Sequence, residues 1–244
     1  MRRKARQAAK PENRPRFWGR HAVAAAIANP DRKLVRIWAT REAAAAFDIP
    51  ADVPVTFAEA ADLARHVPRD APHQGIVAEV ERLDELHLAD LLDRAEDGRP
   101  LLVLDHVTDP HNVGAILRSA AAFDALGIVT QDRHAPPESG ALAKAASGAL
   151  ETVPWVRVDN LARALDEIAS AGFWRIGLVG EAEATLAAAL GPPRVALVLG
   201  AEGEGMRHNV EAHCDALARL PIGDRMESLN VSNAAAIALY AVRA

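Results

Sequence analysis

The chain has 244 residues, half of them apolar and a quarter charged, with a net charge of −5. This is the profile of an ordinary soluble protein, long enough for one large domain or two modest ones. A single cysteine, Cys214, excludes a disulfide framework and points to a reducing, cytoplasmic setting; no window approaches the roughly 20 apolar residues of a membrane span, and no secretory signal follows the basic N-terminus.

Charge is unevenly spread. Residues 1–20 hold eight Lys/Arg and one Glu, so with a net −5 the rest of the chain carries −12. Residues 1–15 have no apolar rhythm and are expected to form a disordered basic arm. Such an arm is either a solubilising tail or a contact for a polyanion such as RNA.

From Phe17 the pattern changes. His21–Ala28 is expected to be a helix closed by Asn29-Pro30, and Leu34–Ala39 alternates like a strand. Helix over Arg41–Phe47, strand over Val53–Val55 and helix over Phe57–His66 follow. His73-Gln74-Gly75 is a turn into the strand Ile76–Val80. This makes a small α/β unit over 16–81. Residues 82–98 read as a linker and a lead-in helix, Leu86–Ala95.

Residues 99–244 read as the second unit. Its first strand, Pro100–Asp105, is apolar almost throughout, as in parallel strands covered on both faces. Further strands are expected at Leu126–Val129, Thr152–Val158, Arg175–Val179, Val195–Leu199 and Ala218–Pro221. Helices Val113–Phe123 and Leu161–Ala171 lie between them. Alternating strand and helix predicts an α/β fold with a parallel sheet. A last, Ala-rich helix over Ala234–Arg243 suits close packing against a helix or a second subunit.

Three polar stretches stand out. The first, Asp105 to Gly114, leaves the carboxyl end of a strand, where open α/β sheets put ligands. Asn112 can cap the following helix, and Arg118 is a permanent charge among Ala, Ile and Leu. On pattern alone, an Arg reaching out to solvent explains it equally well. The second, Leu199-Gly200-Ala201-Glu202-Gly203-Glu204-Gly205-Met206, again follows a strand. Its glycines suggest close backbone approach or positive φ. Their order is not that of a dinucleotide fingerprint, and Glu202 and Glu204 would repel a pyrophosphate. The third is Pro221 to Ala234, where Ser228, Asn230 and Ser232 can all serve a helix start. Lys144 to Glu151 reads as a helix end with a Gly cap. No metal-ligand spacing and no G-x-S-x-G elbow is present, so neither a metal site nor a serine hydrolase is expected.

Together these stretches resemble the three motifs of the SpoU (TrmH) branch of the SPOUT RNA methyltransferases. The first motif is Asp109 to Ala120; the second is Leu199 to Met206. The third is Leu220-Pro221-Ile222 with Ser228-Leu229-Asn230-Val231-Ser232. The likeness is close over residues 100–244. It is looser at Phe17 to Val23 and His73 to Ile76, which resemble the family's small RNA-binding domain. Lys144 to Pro154 and Gly203 to Arg207 resemble most the branch acting on guanosine in 23S rRNA. Asn233-Ala234-Ala235 departs from the usual pattern after the third motif.

The resemblance implies a deep trefoil knot in the C-terminal domain, a homodimer through that domain, and S-adenosylmethionine as cofactor. It implies Asn112, Arg118, Glu202, Ser228 and Asn230 as catalytic residues. Leu199, Gly200, Ile222, Leu229 and Ser228 are implied as cofactor contacts, made largely through backbone. The implied substrate is a guanosine of 23S rRNA, methylated on its ribose 2′-hydroxyl. A tRNA ribose methyltransferase and a non-catalytic RNA-binding protein of the same fold remain the alternatives. Because a guanidinium is in practice not deprotonated in proteins, Arg118 is expected to bind phosphate and stabilise the forming alkoxide rather than to act as a base.

Overall fold

The computed structural model describes residues 14–223 and 225–243, so residues 1–13 of the expected basic arm lie outside it. Arg14 and Pro15, assigned to that arm by sequence, are instead held: Arg14 donates to Glu81 at 3.0 Å, and the Pro15 carbonyl accepts from the Val80 N–H at 3.0 Å. The chain divides into two compact units. One comprises the residues up to Asp84 together with Glu138–Lys144, and the other Glu85–Pro137 with Ala145 onward.

The first unit is built on a four-stranded sheet. Its elements are β1 (Arg16–Trp18), α1 (Arg20–Ala28), β2 (Leu34–Ala39), α2 (Arg41–Ala44), β3 (Val55–Phe57), α3 (Ala60–Leu63) and β4 (Ile76–Val80). The strand order is β1-β4-β2-β3, with β4 antiparallel to both neighbours and β3 parallel to β2. β2 and β4 match the sequence reading residue for residue. β1 was not expected, since three residues carry no readable period; its partner β4 fixes it by pairing Phe17 with Ala78. The strand expected at Val53–Val55 lies two residues later, where it pairs with β2. The helix expected over Phe57–His66 shortens to α3 and a 3-10 turn, Ala64–His66. Trp18, Trp38, Leu63 and Val77 form one buried cluster. The segment Glu138–Lys144 belongs here because Arg32, whose side chain is fully buried, donates to Glu138 at 2.8 Å, and Lys144 donates to Gln74 at 2.8 Å. A Cβ on Gly140 would strike the Trp18 ring and the Arg16 carbonyl.

The second unit begins with α4 (Leu88–Leu92), then β5 (Leu101–Leu104), α5 (Pro110–Ala122), β6 (Gly127–Gln131), the last two residues of α6 (Gly140–Ala146, whose first five belong to the first unit), β7 (Trp155–Val158), α7 (Leu161–Ser170) and β8 (Trp174–Leu178). It ends with α8 (Leu186–Ala189), β9 (Val195–Leu199), α9 (His208–Glu211), β10 (Ala216–Ala218) and α10 (Val231–Arg243). Its sheet has the order β10-β8-β9-β5-β6-β7, and every pairing is parallel, as expected from the apolar runs. Leu101–Leu104 and Val195–Leu199 are buried at every position, since these central strands are covered on both faces. α7 buries Leu161, Ala162, Ala164, Leu165 and Ile168, a helical stripe, and Asn160 caps it by accepting from the Arg163 N–H.

Chain order reverses between β5 and β9. Strands β6 and β7 extend to one side of β5, and β9, β8 and β10 to the other. Ligands in open α/β sheets bind beyond the carboxyl ends of strands at such a switch point. The residues there are Asp105 and Gly200, the starts of two of the polar stretches. The third reaches the same place through α10, which packs against α5 and β9.

Candidate functional site

The first stretch turns sharply into α5. Asp109 is the N-cap and accepts from the His111 N–H at 2.9 Å, with Pro110 in the first helical position. Asn112 therefore does not cap this helix, as its residue type suggested. Its side chain is left free to bond elsewhere.

The second stretch is a closed hairpin. Ala201 and Gly205 exchange two backbone hydrogen bonds, of 3.0 and 2.9 Å. Gly203 and Gly205 have φ of 84° and 70°, which only glycine adopts cheaply. Gly200 serves another need: a Cβ there would land on the Gly205 carbonyl carbon and the Met206 nitrogen. The hairpin thus folds back onto the strand end and carries Glu202 out into solvent.

The third stretch ends in Asn230, the residue before α10. Its Oδ1 accepts from the Ser232 N–H at 2.9 Å and from the Ser232 hydroxyl at 2.5 Å. This is an N-cap, and it starts α10 three residues earlier than the sequence suggested, at Val231. The amide nitrogen of Asn230 points the other way. It donates to Asn112 Oδ1 at 3.0 Å and to Glu202 Oε2 at 3.3 Å. One asparagine therefore joins all three stretches.

The structure brings Asn112, Glu202 and Asn230 together and leaves the other expected residues outside that cluster. Arg118, in α5, is exposed and makes no ion pair or hydrogen bond among the described residues. Ser228 is exposed two positions before Asn230. Leu199 is buried, and its carbonyl accepts from the Asp105 N–H at 2.8 Å. Leu229 is partly buried, while Ile222 and Met226 are unusually open for apolar side chains, at 40% and 66% exposure.

A second cluster was missed. Asp105 is wholly buried and receives three bonds from Arg207: the backbone N–H at 2.9 Å, Nε at 2.9 Å and Nη2 at 2.6 Å. Arg207 Nη2 also donates to Gln131 Oε1 at 2.8 Å, and Gln131 donates to the Asp159 carbonyl at 2.9 Å. The network ties the second motif to the ends of β5 and β6. A carboxylate ending an otherwise apolar strand was the available signal, because such a charge needs a partner. Beside it, the His106 and His134 rings lie against each other with centroids 3.9 Å apart and planes tilted by 37°, and His106 has φ 58°. Burial first, then Arg207 and His134, hold His106 below the ordinary imidazole range, while Asp105 and Glu204 pull it upward. Among the described residues, no group of three or more His, Cys, Asp or Glu is placed to hold a metal ion.

The first unit offers cations over aromatic rings. Arg16 and Arg36 lie 5.2 and 5.6 Å from the Trp38 ring, which also stacks on His66 at 4.1 Å. Arg41 covers Phe57, an exposed aromatic, at 4.8 Å. Rings and guanidinium planes of this kind suit stacking with unpaired bases.

An open parallel sheet with three motif loops converging at its switch point, preceded in the chain by a small α/β unit, defines a SpoU/TrmH-type methyltransferase architecture. The SpoU rRNA Methylase family matches residues 99–240, and the domain described as RNA 2'-O ribose methyltransferase substrate binding matches residues 17–86. The chain belongs to the SpoU rRNA Methylase family. It is 43% identical over 211 residues to the 23S rRNA (guanosine-2'-O-)-methyltransferase RlmB of Ralstonia nicotianae, covering 86% of this chain and 82% of that one. It is 38% identical to an uncharacterized tRNA/rRNA methyltransferase of Synechocystis, over 93% of this chain but only 61% of that relative's length. Among solved structures, a TrmH-family protein from Porphyromonas gingivalis superposes with a TM-score of 0.78 at 27% identity, covering 95% and 90% of the two chains. The fold is also that of AviRb from Streptomyces viridochromogenes, solved with AdoMet, at a TM-score of 0.75 and 22% identity over 95% and 90% of the chains.

Proposed function

We propose that this protein transfers a methyl group from S-adenosylmethionine to the ribose 2′-hydroxyl of a guanosine in 23S rRNA. The observation that carries this reading is the Asn230 amide bonded to both Asn112 and Glu202, at the carboxyl edge of a parallel sheet. The name of the Ralstonia relative and the match to the substrate-binding domain support the substrate.

The site suits the cofactor. Ile222 presents apolar surface to solvent within an otherwise polar stretch, and the hairpin after Gly200 is rigidly closed. Leu199, Gly200, Ile222, Ser228 and Leu229 would hold S-adenosylmethionine, which when bound supplies an electrophilic methyl group. A sugar hydroxyl is a poor nucleophile at neutral pH, so its 2′-oxygen must be held and its developing charge stabilised. Asn112, Glu202 and Asn230 order the loops around the ribose, and Ser228 adds a contact to the ribose or the cofactor. Arg118, exposed and without an ion pair among the described residues, is free to bind the adjoining phosphate. Its guanidinium stabilises the alkoxide while a phosphate oxygen or a water takes the proton.

Residues 16–81 would grip RNA through pairs such as Arg41 on Phe57, and the basic arm would add contacts without sequence preference. Residues 99–244 would carry a deep trefoil knot and pair with a second copy. The exposed Ile237 and Tyr240 of α10 are what such a partner would cover. No helix of the described residues is long and apolar enough to cross a membrane, in keeping with work in the cytoplasm.

Mapping 2′-O-methyl groups on rRNA and tRNA from cells lacking the gene tests the reading. One 23S guanosine should lose its mark. Loss of a tRNA mark with rRNA unchanged would overturn the substrate.

A further inference from the structure

We propose that His106 and His134 form the seat of the target nucleobase, and that Glu204, on the hairpin that Arg207 ties to the neighbouring Asp105, selects guanine. This inference rests on the methyl-transfer reading above and gives that site its base specificity.

The backbone supplies the first argument. His106 adopts φ 58°, a left-handed conformation that favours glycine and costs a side-chain-bearing residue free energy. An imidazole kept where glycine would fold more easily has a use for its ring. That ring lies against His134 with centroids 3.9 Å apart and planes tilted by 37°, so the segments after the adjacent strands β5 and β6 each deliver one ring to the same spot. Histidine rings are among the side chains on which splayed-out bases stack.

The second argument is what the surroundings withhold. Arg207 is a cation whose charge reaches His106, but Asp105 and Gln131 engage its guanidinium. His106 Nε2 is buried without a hydrogen-bond partner among the described residues. The pair therefore offers a ring surface rather than a phosphate grip, and burial with Arg207 and His134 disfavours the charged form of His106.

The third argument is Glu204. It is exposed on the hairpin that carries Glu202, between Gly203 and Gly205, and it makes no ion pair or hydrogen bond among the described residues. Its charge is felt at His106. A free carboxylate presents two acceptors. Guanine presents two adjacent donors, N1–H and the exocyclic amine, where adenine presents an acceptor at N1 and uracil a single donor between carbonyls. A stacked base whose Watson–Crick edge meets Glu204 is therefore accepted when it is guanine. The same hairpin carries Glu202, which accepts from Asn230, so one loop serves both the base and its sugar.

The test uses the full chain, S-adenosylmethionine and large-subunit rRNA transcripts carrying guanosine, inosine or adenosine at the accepting position. Inosine keeps N1–H and lacks the amine. The native protein should prefer guanosine over inosine by roughly 10-fold or more, and Glu204→Gln should lower transfer to guanosine and flatten that preference to within about 3-fold. His106→Gly should raise KM for RNA roughly 10-fold, leave S-adenosylmethionine affinity unchanged by calorimetry, and hold or raise Tm by relieving the backbone. A Glu204→Gln protein that keeps the native guanosine-to-inosine ratio overturns the assignment of Glu204. His106→Gly with native KM overturns the seat. Neither of these results touches the methyl-transfer reading, which fails separately if the native protein methylates none of the transcripts, and the seat fails with it.

Discussion

The Asn230 amide donates to Asn112 Oδ1 at 3.0 Å, across 118 positions of sequence. The same side chain caps α10 through its oxygen. Structure and site thus share one residue, and two substitutions separate the roles. Asn230→Ala should lose about 1 kcal/mol of stability with the cap, and methyl transfer by at least roughly 10-fold. Asn230→Asp keeps the capping oxygen but has no amide for Asn112 and sets a charge beside Glu202. It should melt within a few degrees of the native protein and still lose transfer. Thermal melts and a methyl-transfer assay check both.

Gly200→Ala is expected to fold but to open the hairpin, since the new Cβ meets the backbone of Gly205 and Met206 rather than a flexible side chain. Affinity for S-adenosylmethionine should fall at least roughly 10-fold, measured by calorimetry, while urea unfolding stays cooperative. Unchanged affinity would remove Gly200 from the cofactor site.

Arg207→Ala leaves the wholly buried Asp105 carboxylate without its main partner. Breaking a buried pair on one side costs about 3 kcal/mol, the lower end of the usual range here because Arg207 is partly exposed. The melting temperature should fall by roughly 6–12 °C for a chain of this size. Adding Asp105→Asn to that variant should restore part of the loss, because the uncompensated charge is then gone.

Arg118→Lys tests the guanidinium. A lysine keeps the charge but not the planar, forked donor set that grips a phosphate. Turnover should fall at least roughly 10-fold with S-adenosylmethionine affinity unchanged, as read by single-turnover kinetics. Near-native turnover would remove any specific role for the fork.

Acid should loosen the β8–β10 edge through Asp215. Arg175 donates to it from Nε at 2.9 Å and Nη2 at 2.7 Å, and these bonds hold the carboxyl below its ordinary range. The folded chain therefore binds its proton less readily than the unfolded one. The stabilisation is complete above the ordinary carboxylate pKa of about 4 and is lost as pH falls through the depressed value. Urea midpoints between pH 7 and pH 3 should drop less steeply for Asp215→Asn than for the native protein.

Much of this architecture was legible because burial imposes a period. β2, β4 and β9 are matched residue for residue, and α7 to within its last residue; β4 and β9 are buried at every position, α7 along one stripe and β2 over its second half. Where a neighbour rather than a period decides, the pattern is silent. β1 exists because β4 offers it an edge. β7 starts only at Trp155, because Ala149–Glu151 closes a 3-10 turn first. The four-residue helices α8 and α9 are too short to show a stripe. The convergence of Asn112, Glu202 and Asn230 followed from resemblance, but the cap did not: Asp109 with Pro110 outcompeted Asn112 for the start of α5. The Asp105–Arg207 pair and the His106–His134 contact depend on which strands lie side by side, and strand order is not written in local residues.

Leu101 pairs on one side with Gly127, which follows it closely in the chain, and on the other with Ala196, which is made much later. During synthesis β5 therefore leaves the ribosome with one flank covered early and the other bare until β9 emerges. A long-lived, fully apolar edge is an invitation to pair with another nascent chain. Yield of this protein in a cell should accordingly depend on translation speed across residues 105–195 and on chaperone supply more than on the stability of the finished fold.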